Sequence, residues 1–272
     1  MNMSEQIKQQ LESAQRVQKA LAPRSGSLPN IDVPVDTTPA CYVGGDICDV
    51  FETDRGRTAL VIGDVCGKGV AAGLLMGLIY GAVRSSSWTA SKRDHEDASE
   101  RLNDLLRRKT SPDRFVTLFS TYYEPETSTL RYINAGHLPM LLVRKNDDNE
   151  FHVERLEKGG PVLGILEWGD YQQGELRIQE GDLLVMFSDG VYEPVNADEQ
   201  QFGDGRLLEV IRECYNGSAT EIRDAILAAF RDHNCEDARP ADDQTLVVAR
   251  FQNVNAGGVL PSISQFFTGV DR

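Results

Sequence analysis

Four short segments carry an aspartate beside a glycine, a small residue or a second acid: Gly44-Gly45-Asp46, Gly63-Asp64-Val65, Ser188-Asp189-Gly190 and Asp242-Asp243-Gln244. Each borders an apolar, β-branched run, which places each carboxylate at a strand end. One Asp-Gly pair is ordinary turn chemistry; four of them flanking apolar strands form a donor set. Carboxylates gathered from distant points make a hard-oxygen site suited to Mg2+ or Mn2+. A pair of such ions can activate a water and clamp a phosphoryl group. The glycines let the backbone approach a metal or phosphate with no Cβ in the way. The chemistry expected is metal-dependent hydrolysis of a phosphate ester.

The elements that must position these residues appear as changes of period along the chain. Residues 4–21 hold no Gly or Pro, and Ile7, Leu11, Ala14 and Leu21 recur at 4-3-7 spacing. This predicts an amphipathic helix with a narrow apolar seam. Two readings of the seam stay open: a helix docked on its own domain, or a short two-chain coiled coil that makes a homodimer. Pro23 and the run from Arg24 to Pro29 then break the helix and read as a linker. From Ile31 to Asp64 the pattern switches to period two: a run to Val43, another through Asp49 to Glu52, a turn at Asp54-Arg55-Gly56, and Thr58 to Ile62. These predict strands meeting in a hairpin.

Two helices are predicted next, over about 69–86 and about 95–109, followed by strands at 115–123, 129–134, 140–145 and 151–156. Another pair of strands brackets Gly181-Asp182, and the apolar run 183–187 is a buried strand that delivers Asp189. Helices over about 204–214 and 219–232 precede a last strand at 245–251. Antiparallel strands interrupted by helix pairs argue an α+β fold, a two-sheet antiparallel β-sandwich flanked by helix pairs and preceded by the amphipathic N-terminal helix. The expected division is 1–23 for the regulatory or dimerising helix, 24–252 for the phosphatase domain and 253–272 for a loosely ordered tail.

Composition bounds the reading further. At 272 residues the chain has room for one large domain with an appendage, or for two small ones. The formal net charge of -14 argues against a general nucleic-acid binder or an anionic-membrane binder, since both need a basic face. Five cysteines, odd in number and without C-x-x-C spacing, fit neither a zinc site nor a disulfide framework, and point to a reducing cytoplasm. No secretory signal opens the chain. The longest apolar stretch, from Val70 to Val83, is too short to span a bilayer, so no membrane insertion is expected and a buried helix is.

Five ordered runs carry a resemblance: Gly44-Gly45-Asp46-Ile47-Cys48-Asp49, Gly63-Asp64-Val65-Cys66-Gly67-Lys68-Gly69, Asn134-Ala135-Gly136-His137-Leu138-Pro139, Phe187-Ser188-Asp189-Gly190-Val191-Tyr192-Glu193 and Asp242-Asp243-Gln244-Thr245-Leu246. Together they resemble the bacterial SpoIIE/RsbU branch of the metal-dependent (PPM, type 2C-like) Ser/Thr protein phosphatases, over about residues 12–251. The resemblance implies the PPM β-sandwich, two Mn2+ or Mg2+ ions, and metal-site roles for Asp46, Asp64, Asp189 and Asp242. It makes Asp64 the bridge between the ions and the Val65 carbonyl a further ligand. Asp49 and Asp243 are weaker candidates, and Asp243 could equally hold the adjacent loop by hydrogen bonds. The substrate implied is a phosphorylated anti-sigma-factor antagonist, a small STAS-domain protein in a partner-switching pathway. An upstream sensor or activating protein would act through the N-terminal helix and the first helix pair.

Some positions depart from the family or admit a plainer use. Eukaryotic relatives place a histidine two residues after the bridging aspartate, where this chain has Cys66, so the general acid is unassigned. Cys66 reads best as a small buried residue. His137 is a candidate for the general-acid role, but Ala-Gly-His-Leu-Pro between two strands reads more simply as a shaped turn, and Lys68 could reach a phosphate oxygen or serve as a cap or surface residue. A Walker loop is excluded because only three residues separate Gly63 from Gly67-Lys68 and no Ser or Thr follows. A cysteine phosphatase loop would need arginine six positions after Cys66, where Ala72 stands, and Gly44-Gly45-Asp46 continues Ile-Cys rather than as a diguanylate cyclase signature does. The rival from another class is a catalytically silent module that sequesters a regulator; retention of all four aspartates speaks against it.

Overall fold

Period-two runs pair into two sheets in the computed structural model, which describes residues 3–23, 26–53, 55–85, 91–146, 148–196, 198–234 and 240–254. In chain order, α1 (Met3–Leu21) leads into β1 (Gly26–Leu28), β2 (Ile31–Val33), β3 (Val35–Thr38), β4 (Ile47–Glu52) and β5 (Thr58–Val65). The pair α2 (Val70–Ser85) and α3 (Lys92–Lys109) follows, then β6 (Val116–Glu124), β7 (Thr129–Ala135), β8 (Met140–Lys145) and β9 (Phe151–Leu156). The short β10 (Gly159–Gly160) and β11 (Gly174–Arg177) precede β12 (Leu183–Phe187) and the one-turn helix α4 (Asp189–Tyr192). The pair α5 (Gly203–Cys214) and α6 (Ala219–Asn234) leads to β13 (Gln244–Phe251).

One sheet runs β1-β2-β13-β12-β8-β9, with β3 also on β13; the other runs β10-β7-β6-β5-β4, with β11 on β7. The ladders that matter for the site, β4–β5 and β12–β13, are antiparallel, and β10–β7 is a short parallel pair.

Strand alternation sends one face inward and the other to a helix pair. Leu60, Ile62, Phe119, Leu184, Met186 and Val247 meet between the sheets. Their neighbours Val61, Val65, Tyr122 and Ile133 pack under Met76 and Ile79 of α2 and Leu102 and Leu106 of α3. On the other side Val185, Phe187 and Val248 pack under Ile211 of α5 and Ile222 and Ile226 of α6. Both faces of the central strands are therefore dry, which is why β5 and β12 read as unbroken apolar runs. The result is the expected two-sheet sandwich, with helices on its two outer faces.

Helix boundaries follow local chemistry. Ser91 caps α3: its Oγ accepts from the Asp94 N–H at 3.2 Å and donates to the Asp94 carboxylate at 2.7 Å. Arg107, Arg108 and Lys109 close the same helix where its dipole favours cations. The extended run expected over 31–43 is broken. Pro34 separates β2 from β3, and after Thr38 the chain leaves the ladder at Pro39 to form a loop up to Asp46. The tail expected beyond 253 lies outside the described residues from 255 onward.

The seam of α1 is divided. Its last turn docks: Leu21 packs against the cluster under α2, and the Gln18 amide grips the Gly44 backbone, donating to the carbonyl at 2.8 Å and accepting from the N–H at 3.0 Å. Ile7 and Val17 stay 51% and 62% exposed, so the apolar stripe is only partly used by this domain. Among the described residues, no helix is long and apolar enough to cross a membrane.

Candidate metal centre

The two sheets deliver the four aspartates to one end of the sandwich. Asp46 immediately precedes β4 and Asp64 is the penultimate residue of β5; the register Ile47↔Gly63 sets them side by side. Asp189 opens α4 at the end of β12, and Asp242 lies just before β13, with Phe187 paired to Leu246. Asp64 feels the charges of Asp46, Asp189, Asp242 and Asp243, so carboxylates from both sheets share one neighbourhood.

Polar side chains that carry no charge stitch the two halves together. The Thr245 hydroxyl donates to Oδ2 of Asp46 at 2.6 Å, joining β13 to the loop that enters β4. Ser188 Oγ accepts from the Thr245 N–H at 2.9 Å and donates to the Asp243 carbonyl at 3.2 Å. Asp243 uses both carboxylate oxygens on backbone: Oδ1 accepts from the Ala40 N–H at 2.7 Å and Oδ2 from the Gly45 N–H at 2.6 Å. Of the two uses open to Asp243, the loop-holding one is therefore engaged. A Cβ at position 45 would sit tightly, 3.0 Å from the Val65 carbonyl oxygen, 3.2 Å from the Ala72 Cβ and 3.3 Å from Oδ1 of Asp64, so glycine relieves a crowded corner here. That corner faces two of the candidate oxygen donors.

The electrostatics are those of crowded acids, with Lys68 at the rim as the one cation paired to them among the described residues. Burial pushes Asp46 up to about 7, with the Thr245 and Ser188 hydrogen bonds pulling the other way. Burial, then the charges of its acidic neighbours, pushes Asp64 up to about 8. Asp189 is raised by burial and by Asp242. Oδ1 of Asp46 is buried with no hydrogen-bond partner, a costly state for a carboxylate oxygen unless a cation meets it. Among the described residues, no three His, Cys, Asp or Glu side chains converge on one point as ligands would. An all-oxygen donor set with an orphaned oxygen on Asp46, a glycine face beside Asp64 and burial that raises Asp46, Asp64 and Asp189 fits divalent Mg2+ or Mn2+.

Asp49 is placed elsewhere. Its buried carboxylate takes a bidentate pair from Arg84 of α2, Nε to Oδ2 at 2.6 Å and Nη2 to Oδ1 at 2.7 Å, and the guanidinium lies over the Phe51 ring. That contact fastens α2 to β4. His137 is buried with Nδ1 against the Thr117 hydroxyl at 2.7 Å and its N–H donating to Asn134 Oδ1 at 2.7 Å, the shaped turn that its neighbours predict. Burial holds it down at about 4, so it is neutral near pH 7. Cys66 is half-buried rather than the buried residue expected; its Sγ accepts from the Phe115 N–H at 3.1 Å, a loop-closing contact that leaves it at the rim of the core. Thr245, Ser188 and Gln18 escaped the sequence reading. Adjacency to Asp189 and Asp243 was the available signal for the first two; Gln18 interrupts an apolar seam, and that interruption was its signal.

The family model for stage II sporulation protein E (SpoIIE) matches residues 54–252, which takes in Asp64, Asp189 and Asp242 while Asp46 lies ahead of it. The phosphoserine phosphatase RsbU of Bacillus subtilis is 30% identical over 252 residues, 91% of this chain and 72% of RsbU. Protein IcfG of Synechocystis is 28% identical over 266 residues, 88% of this chain and 41% of IcfG, so the chain spans less than half of that longer relative. Among solved structures, the SiaA-PP2C domain of Pseudomonas aeruginosa superposes with a TM-score of 0.77 at 20% identity, covering 92% of this chain and 98% of that one. With the two-sheet sandwich and its acidic end already on hand, the chain belongs to the SpoIIE family, on the RsbU-like branch of the metal-dependent Ser/Thr protein phosphatases.

Proposed function

We propose that this protein phosphatase removes phosphate from serine or threonine of a regulatory protein, an anti-sigma-factor antagonist with a STAS domain in a partner-switching pathway. Its two Mn2+ or Mg2+ ions would be held by Asp46, Asp64, the Val65 carbonyl, Asp189 and Asp242. The observation that carries the reading is the convergence on Asp64 of carboxylates from both sheets, Asp46 beside it through the Ile47↔Gly63 register and Asp189 and Asp242 from the other sheet, whose charges add to burial in raising Asp64. Bound there, divalent ions would supply an activated water and offset charge on the phosphoryl oxygens.

The chain's own residues do the positioning. Thr245 fixes one oxygen of Asp46 and leaves the other free. Asp243 holds the 40–45 loop through its two backbone bonds, so that Gly45 stays against Asp64 and Val65. No side chain is needed as a covalent nucleophile. The relatives' names support the substrate class: RsbU is a phosphoserine phosphatase, and it is this chain's 30% identical relative. An upstream sensor or activating partner acts through α1, whose Gln18 touches the Gly44 backbone two residues from Asp46. The exposed part of the α1 seam suits a homodimer; an unchanged sedimentation profile in Leu11→Glu would remove that role. Cysteine usage supports a cytoplasmic setting.

The test is phosphate release from p-nitrophenyl phosphate under Mn2+ titration, with EDTA as the blank. Turnover that depends on Mn2+ and disappears in Asp64→Asn and Asp189→Asn, both still folded, is the expected result. Undiminished turnover in either variant removes that residue from the mechanism. Intact Mn2+ binding with no turnover on this ester or on a phosphorylated STAS protein would turn the reading toward a silent binding module.

A further inference from the structure

The turn between β5 and α2 carries one long side chain into the acidic end of the sandwich. Gly67 and Gly69 adopt φ of 92° and 78°, values open to glycine, and they flank Lys68 on both sides. The base of the turn is fixed, since Arg114 Nη1 donates to the Cys66 carbonyl at 2.9 Å. From there Lys68 reaches across to the strand-end segment before β13, where Nζ pairs with Asp242 Oδ2 at 2.9 Å and donates to the Ala241 carbonyl at 2.5 Å. The charge of Lys68 also acts on Asp189, where it opposes the repulsion from Asp242. Nothing else about the pair is buried: the two side chains are 49% and 44% exposed.

We infer that Lys68 is a tethered counter-ion of the metal centre, a built-in cation that occupies Asp242 in the metal-free protein and that a divalent ion must displace. The inference rests on the reading of Asp242 as a metal ligand. An ammonium on a four-carbon stem is suited to this exchange, because it binds as a compact point charge and leaves without strain. Oδ1 of Asp242 already accepts from the Asp243 N–H at 2.9 Å, so a metal that takes Oδ2 competes with Lys68 for the same lone pairs, and the free energy of the Lys68–Asp242 pair is subtracted from metal binding. The pair is solvent-exposed and single, so the effect is a modest, salt-sensitive tuning of affinity rather than a block.

Calorimetric titration of the metal-free 272-residue chain with Mn2+, in the absence of any substrate, tests it. Lys68→Ala and Lys68→Met are expected to bind Mn2+ about two- to fivefold more tightly than the parent, with Lys68→Arg staying close to it. The gain should shrink at high ionic strength and vanish in an Asp242→Asn background. Unchanged or weaker Mn2+ affinity in both Lys68→Ala and Lys68→Met, alongside a clear loss in Asp242→Asn, overturns the counter-ion role and leaves the ligand assignment standing. Parental affinity in Asp242→Asn overturns the ligand assignment itself, and the inference with it.

Discussion

Thr245 and Asp46 are 199 positions apart in sequence and share a 2.6 Å hydrogen bond, hydroxyl to carboxylate, that joins the two sheets at their acidic end. The bond satisfies one oxygen of a buried acid and sets the direction of the other. Thr245→Val keeps the shape and removes the donor. It is expected to destabilise the metal-free protein by about 1–2 kcal/mol, as loss of a hydrogen bond to a charged group does, and to weaken Mn2+ binding. Thr245→Ser should restore both. Urea denaturation and Mn2+ calorimetry read the two effects; a valine variant with parental metal affinity would deny Thr245 its positioning role.

Asp64 is the acid most disfavoured by its surroundings, by burial first and by its acidic neighbours next. Asparagine at this position relieves the repulsion. Metal-free Asp64→Asn should therefore be more stable than the parent at pH 8, by about 1–2 kcal/mol, although its turnover is lost. Thermal melts in EDTA test this, and a lower melting temperature in the variant would contradict the crowding described.

The pH dependence has a definite sign. Asp46 and Asp64 titrate near 3.8 when unfolded and at about 7 and about 8 when folded. Between those limits the folded state holds the extra protons, so stability falls as pH rises. His95 and His137 work the other way: burial lowers them from 6.5 to about 3 and about 4, which costs stability as pH falls below 6.5. The two effects offset in the acid range and leave a net fall from about pH 6.5 to about pH 8. In EDTA the melting temperature should drop over that window. With Mn2+ present the drop should flatten or reverse, because the ion binds the deprotonated acids. A steady rise in EDTA across the same window would be the wrong sign.

Arg84 and Asp49 separate structure from chemistry. Asp49 is 1% exposed, and the Arg84 guanidinium meets its charge, with the Val50 backbone as a further hydrogen-bond partner. Arg84→Ala strands that carboxylate and should cost about 3 kcal/mol, while Mn2+ affinity in the still-folded protein remains parental. A selective loss of metal binding would instead put Asp49 in the centre.

Much of this architecture is local and was open to reading. β5 and β12 are apolar runs ended by Gly63-Asp64 and Ser188-Asp189, so both the strands and the carboxylates they deliver follow from adjacent residues. β8 and β9 have the bounds that alternation predicts. Partnership was not readable. The strands around Gly181-Asp182 join different sheets, β11 on β7 and β12 between β13 and β8, because pairing is decided by distant apolar faces. Asp49 stands in the same motif as Asp46, yet one residue is claimed by an arginine 35 positions away and the other is not. Period-two patterning tells which face a side chain takes, and does not tell which helix will cover it.

The crowding of Asp46, Asp64 and Asp189 also bears on how such a domain changes over generations. Asparagine in place of Asp64 relieves that crowding in the metal-free sandwich, so mutation without demand for turnover drifts toward descendants that keep the fold and lose the reaction. The two-sheet sandwich is held by its apolar clusters, and the crowded acids add nothing to that packing.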